Sequence, residues 1–412
     1  MSIQFNRQNG GLSITLDTEN SGGYTIARLS VRPRRALAMN RAAWFLVLLL
    51  VICRPLWAQV AAPDAAVPDT LKNAADLTGQ SDQVAQLVTA ETQKLVNDSD
   101  AASQGMARDW LIDQSAGSDA YRDAYDAAVN NEFTTALKDS KTSVRTRVNI
   151  AIVTDGICKT SKNLDLLPTT MTLLGDSSDA IVLWAERAAG SELVTMLNTP
   201  NAAAADRKAL LKAMEDAAVR HCSTLLLGGF IVEEVYKAIN PSFMLGANPQ
   251  GEALGDLVNT NLALQKGRLD LYAMGMPESP YVDTYASDFL LDPATWATMN
   301  PQQQLQAVQQ AGDLICKAAL LVLQGNVTAA QMSELTRTAG REGDYVDALA
   351  TKVLNNSNLV AAAKDVEGLG VASQPTAIRQ ACQKMEDALQ AAFPGFQPAP
   401  DFAHPAAGAA GQ

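Results

Sequence analysis

Few residues in this chain have the types and spacing that chemistry requires. His221 precedes Cys222, and an imidazole beside a thiol becomes a zinc site only when further ligands converge on it. No C-x-x-C pair lies nearby, and the other histidine, His404, sits in a Pro/Ala-rich tail. His221 falls in phase with Leu210, Met214 and Ala217, so it is expected to face a helix interface and bond locally. Glu233 and Glu234 are adjacent, and successive helical residues point about 100° apart, so they cannot act as a facing acid–base pair. "REGDYVD" (341–347) clusters acids without the alternating D-x-D-x-D-G of a calcium loop, and reads as a solvated turn. The sequence contains no H-E-x-x-H, nucleotide P-loop or G-x-S-x-G. No catalytic, cofactor-binding or metal-binding residue is assigned, and no cofactor is implied.

Cys158, Cys222, Cys316 and Cys382 each lie on an apolar helical stretch. Four is an even number, and an exported chain could pair them. A free Cys among apolar neighbours behaves instead as a small hydrophobe. The reading favours buried free thiols and keeps disulfides as the alternative.

The elements that must position these residues are helices. The chain is 47% hydrophobic but only 5% aromatic, with much of the apolar content in Ala and Leu. Small and unbranched side chains favour closely packed helices over sheets. Apolar spacing predicts helical faces at Leu87/Val88/Leu95, at Trp110-Leu111-Ile112 and at Tyr121/Tyr125/Ala128/Val129/Phe133. Leu305, Val308, Gly312, Ile315, Ala319 and Val322 form one strong stripe after Pro301, expected to be core. A last helix is expected over 377–393. The fold class is all-α.

Met39 opens a signal-like segment: Arg41, an apolar run from Ala42 to Cys53, and Leu56-Trp57-Ala58 before a cleavage point. The run is short of the roughly 20 residues that span a bilayer. Residues 1–38 are then read as a disordered upstream extension, 39–58 as a signal peptide and 59–70 as an Ala/Pro linker. The formal net charge is −12, and residues 1–58 hold seven arginines against Asp17 and Glu19, leaving the remainder at −17. So acidic a body repels phosphate backbones, and nucleic acid is not an expected partner. No membrane span is expected after signal cleavage, and the location is read as periplasmic or extracellular.

One phrase occurs twice. "KDSKTSVRTRVNIAIV" follows Leu137 and "GDSSDAIVLWAERAAG" follows Leu174, offset by 37 residues. Asp139 matches Asp176, Ser140 matches Ser177, Val144 matches Ile181, Val148 matches Ala185, and Ala151 matches Ala188. A helix ending in Leu, an Asp-containing turn and a second helix with small residues inside is a helical-hairpin pattern, close to the ~40–47 residues of HEAT and armadillo units. The stretch 118–222 resembles HEAT-like repeat proteins. Val144-Arg145 stands where that family commonly has Val-Arg, Val182 replaces the Arg in the second copy, and 201–222 reads as a degenerate third copy. The resemblance implies hairpins stacked as a short solenoid. The expected organisation is an N-terminal repeat domain over 71–222, a C-terminal helical region over 223–393 and a disordered tail over 394–412. The functional expectation is an exported, non-catalytic scaffold that binds a protein partner. The alternative is an exported hydrolase-like enzyme using Asp and Glu residues distant in sequence.

Overall fold

The computed structural model describes residues 66–402 except 162, 200–203, 225–226, 245 and 276, together with the backbone of 2–4, 13–21 and 24–32. The chain divides into two units, Met1–Ala61 and Ala62–Gln412. The signal-like segment at 39–58 lies outside the described residues.

In the first unit, β1 (Ser2–Gln4), β2 (Ser13–Ser21) and β3 (Tyr24–Arg32) form an antiparallel sheet in the order β1-β2-β3. Ser21 pairs with Tyr24 across Gly22-Gly23, a dipeptide that signals a two-residue hairpin. The expectation of disorder over 1–38 is therefore corrected for these stretches. Ile14, Leu16 and Thr18 alternate with polar residues as a strand requires.

Between 62 and 412 the described elements are helical. The chain runs through α1 (Asp69–Lys72), α2 (Ser81–Asn97), α3 (Ala101–Asp113), α4 (Asp119–Lys138) and α5 (Val144–Cys158). It continues with α6 (Leu167–Leu174), α7 (Asp179–Asn198), α8 (Ala204–His221), α9 (Gly228–Ile239) and α10 (Gly251–Leu271). Two 3₁₀ turns, Tyr272–Met274 and Pro280–Asp283, precede the short α11 (Thr284–Leu290) and α12 (Pro293–Trp296). The unit closes with α13 (Pro301–Gln324), α14 (Ala329–Leu349), α15 (Ser357–Glu367) and α16 (Pro375–Ala392).

From α2 to α10 packing follows a skip-one order, whereas from α13 to α16 each helix also packs on the next. One row is α2 on α4, α4 on α6, α6 on α8, α8 on α10, α10 on α13 and α13 on α16. A second row begins α3 on α5, α5 on α7 and α7 on α9. Because α8 packs on α10, and α9 joins both, residue 222 is no domain boundary; the division into 71–222 and 223–393 is replaced by one continuous core. Neighbours in the first row are tied by a recurring device. Arg220 donates to the Leu174 carbonyl at 2.6 Å, Arg268 to the Cys222 carbonyl at 3.4 Å, and Lys317 to the Leu269 carbonyl at 2.9 Å. Each cation reaches a carbonyl at the C-terminal end of the preceding row member, where orphan acceptors and the helix dipole both favour positive charge.

The two matching phrases are both helix entries. Asp139 Oδ1 accepts from the Lys141 N–H at 2.9 Å, and Asp176 Oδ1 from the Ser178 N–H at 2.8 Å. The helices then begin after different turn lengths, with N-caps at Ser143 and Ser178. Burial aligns at 35 residues, not 37: Thr146 with Ile181, Ile150 with Ala185, Ala151 with Glu186, Val153 with Ala188, and Thr154 with Ala189, all buried. The expected pairing of Val144 with Ile181 fails because Val144 is 54% exposed, and Val148 is only partly buried.

Three other expectations change. "REGDYVD" is not a turn: it lies inside α14, where Glu342, Val346 and Leu349 continue the buried face of Leu335 and Ala339. The tail is ordered as far as 402. Phe396 and Phe402 are buried, and Gln397 exchanges two hydrogen bonds with Gln309. Part of the 59–70 linker also docks, since Val67 is buried and its N–H donates to Gln114 Oε1 at 3.0 Å.

Candidate functional site

A groove of about 640 Å³ crosses α5, α7 and α9, three successive members of the second row. Cys158, Lys159 and Ser161 border it at the end of α5, Glu186 to Thr195 along α7, and Glu234, Lys237, Phe243 and Met244 at and beyond α9. The helices approach closely at Gly190, where a Cβ would come within 3.1 Å of the Ala238 Cβ. That contact explains why α7 carries glycine in mid-helix despite its helix-weakening cost.

Charges around the groove are paired across and along helices. Arg187 Nη2 lies 3.1 Å from Glu234 Oε1, joining α7 to α9. Arg187 also stacks 4.8 Å from the Trp184 ring centre. Lys237 pairs with Glu233 at 2.9 Å and Lys159 with Asp155 at 2.6 Å. Glu233 and Glu234 thus serve different partners, as their divergence on a helix requires.

Beneath these pairs lie acids out of water. Glu186 lines the groove yet is fully buried, and neither carboxyl oxygen has a hydrogen-bond partner. Burial pushes its pKa well above the usual carboxylate range, opposed by Arg220 and reinforced by Glu234. Glu192, one and a half turns on, is raised to about 8 by burial, against hydrogen bonds from Thr170 and Cys158. Asp126 is raised to about 7 by burial and accepts from Ser161 Oγ at 2.8 Å. Both glutamates therefore hold a proton to higher pH than an exposed glutamate does. Ser161 is held in a loop, because its Oγ also accepts the Asn163 N–H.

His221 meets neither Cys222 nor a metal set. Its Nδ1 lies 2.6 Å from Asp179 Oδ1 and its Nε2 3.2 Å from the Asp176 carbonyl, clamping the end of α8 to the start of α7. Arg147 adds a third link, 3.1 Å from Asp176 Oδ2. Among the described residues no three His, Cys, Asp or Glu side chains converge as a metal site, and no helix is long and apolar enough to cross a membrane. Cys158, Cys222, Cys316 and Cys382 are buried free thiols.

Sequence reasoning did not single out Glu186, Glu192 or Asp126. The available signal was phase: Val182, Glu186, Ala189 and Leu193 share one buried face of α7, and their charge is the anomaly. Comparison with protein-family models, curated proteins and solved structures finds no match to this chain.

Proposed function

We propose that the chain is an exported, non-catalytic helical-repeat scaffold, resembling HEAT-like proteins, whose hairpins stack as a short α-solenoid and grip a protein partner in the groove across α5, α7 and α9. The observation that carries this reading is the skip-one packing of two helix rows, with one row presenting a continuous groove. Stacked repeats bury their core between neighbours and leave an extended face for partners. The groove offers cations and carboxylates in alternation, with Phe243 and Met244 as apolar contacts. Such a surface suits a peptide segment carrying both charges. The test is site-specific photocrosslinking in the native cell envelope, with the probe at Thr195 and a control probe outside the groove at exposed Val219. A discrete partner captured from Thr195 alone, and lost in Glu234→Lys, supports the reading. Equal capture from both positions overturns it. Retention of residues 39–58 in the native protein would overturn export.

A second reading is favoured by one observation: Glu186, fully buried without a hydrogen-bond partner and pushed above the usual carboxylate range by that burial, lines the groove that also carries Glu234, and two carboxyls in unlike surroundings are the raw material of acid–base hydrolysis. A hydrolytic activity abolished by Glu186→Gln, with the crosslinked partner still captured, would select the enzyme over the scaffold.

A further inference from the structure

Away from the groove, α13 and α16 come unusually close. A Cβ on Gly312 would stand 3.0 Å from Leu389 Cδ1 and 2.9 Å from Phe396 Cζ, so both side chains would have to shift to admit it. One turn along α13, Cys316 Sγ lies 3.0 Å from Glu386 Oε1. One turn further back along α16 stands Cys382, beside Cys316, and this neighbour, burial and Glu386 together push the Cys316 thiol well above its usual range, so that it reacts only with a base at hand. Gly312 with Leu389 and Cys316 with Glu386 follow one antiparallel register, which places Cys382 one turn from Glu386 and diagonally across from Cys316. Both thiols are buried. Cys316 nevertheless lines a cavity of about 930 Å³ roofed by residues 397–402, whereas Cys382 does not. Glu386 is held in place from the other side by the Ala399 N–H, 2.6 Å from Oε2.

We propose that Cys316 and Cys382 form a redox-active dithiol, and that a small disulfide oxidant entering the cavity beneath the 397–402 segment closes it into a disulfide tying α13 to α16. The Cys316 thiol gives its proton to the Glu386 carboxylate, and the thiolate attacks one sulfur of the oxidant. The oxidant's S–S bond breaks, its other half leaves as a thiolate, and a mixed disulfide forms on Cys316. The Cys382 thiol gives its proton to the thiolate that has left and attacks the Cys316 sulfur; the S–S bond of the mixed disulfide breaks, and the second half of the oxidant leaves as a thiolate that takes up the proton held by Glu386. Two cysteine thiols lose two electrons and two protons; one oxidant disulfide becomes two thiols. Cys158, hydrogen-bonded to Glu192, and Cys222, whose Sγ bonds the Val219 carbonyl, have no such partner thiol and remain reduced.

The test is peptide mapping of the full chain, purified reduced, after incubation with oxidised glutathione and alkylation of remaining thiols under denaturing conditions. The expected result is loss of alkylation at Cys316 and Cys382 alone, with one linked peptide joining them, reversed by dithiothreitol. Cys382→Ser should stop at a single glutathione adduct on Cys316. Full alkylation of Cys316 and Cys382 in the wild-type chain overturns the proposal, as does linkage through Cys158 or Cys222. Because the wild-type map decides the matter, a folding defect in the variant does not shield it.

Discussion

Arg268 and Asp283 form an ion pair with both side chains completely out of solvent. The guanidinium meets the carboxylate twice, Nε to Oδ1 at 2.8 Å and Nη2 to Oδ2 at 3.2 Å. Two further donors go to the Cys222 and Glu278 carbonyls, and Tyr272 donates to Asp283 at 3.0 Å. The pair thus joins the end of α8, α10 and the Pro280–Asp283 turn. Removing one partner strands the other as a buried charge, which costs about 3–5 kcal/mol. Arg268→Met should therefore lower the urea midpoint sharply, and Arg268→Met with Asp283→Leu should recover part of the loss. A single variant as stable as the wild-type chain would contradict this arrangement.

Ala188 sits fully buried on α7 at the position that α5 fills with Val153. Ala188→Leu should overpack that interface and cost roughly 1–3 kcal/mol. Lys141→Leu, in the exposed turn before α5, should change stability by less than about 0.5 kcal/mol. Urea denaturation of the two variants side by side is the check, and coincident midpoints would show that α7 does not pack as described.

Much of the helical framework was legible, because aromatic and aliphatic residues at spacings of three and four mark buried faces unambiguously; Tyr121, Tyr125, Val129 and Phe133 are all fully buried. The register of the repeated phrase was misread by two residues. Asp139 and Asp176 look alike in sequence and turn alike in structure, but the two turns differ in length, and only helix N-caps reveal it. The ties that Arg220, Arg268 and Lys317 make to neighbouring helix ends leave no signal in the sequence, because each is one basic residue amid unlike neighbours. Glu186 and Glu342 were invisible as core residues since charge normally marks solvent. Pro, Ala and Gly around Phe396 and Phe402 hid two core side chains in a segment of disordered composition.

That segment supplies the next expectation. Phe396 fills the space opened by Gly312 and rests near Leu389. Phe396→Ala should cost about 3–5 kcal/mol through lost burial and the cavity left behind. Hydrogen exchange should then quicken first at Gln397 and Ala399, whose N–H groups bond Gln309 and Glu386. Unchanged exchange there would mean that the ring does not hold the segment down.

Buried acids give the chain a pH dependence of unusual sign. Glu192 and Glu342 are both raised to about 8, by burial first, against hydrogen bonds from Thr170 and Cys158 in one case and Ser287 in the other. In the unfolded chain each titrates near 4.5. Between those values the folded state keeps a proton that the unfolded state has released, so stability falls as pH rises. The contribution is complete below about 4.5 and lost as pH climbs through about 8, at roughly 1.4 kcal/mol per pH unit for each group across that window. Urea midpoints measured from pH 5 to pH 9 should therefore decline. Glu192→Gln with Glu342→Gln should flatten the decline, since an amide has the shape of the neutral acid and no proton to lose. A double variant whose midpoint still falls with the wild-type slope would show that these two carboxyls are not the groups that stay protonated in the fold.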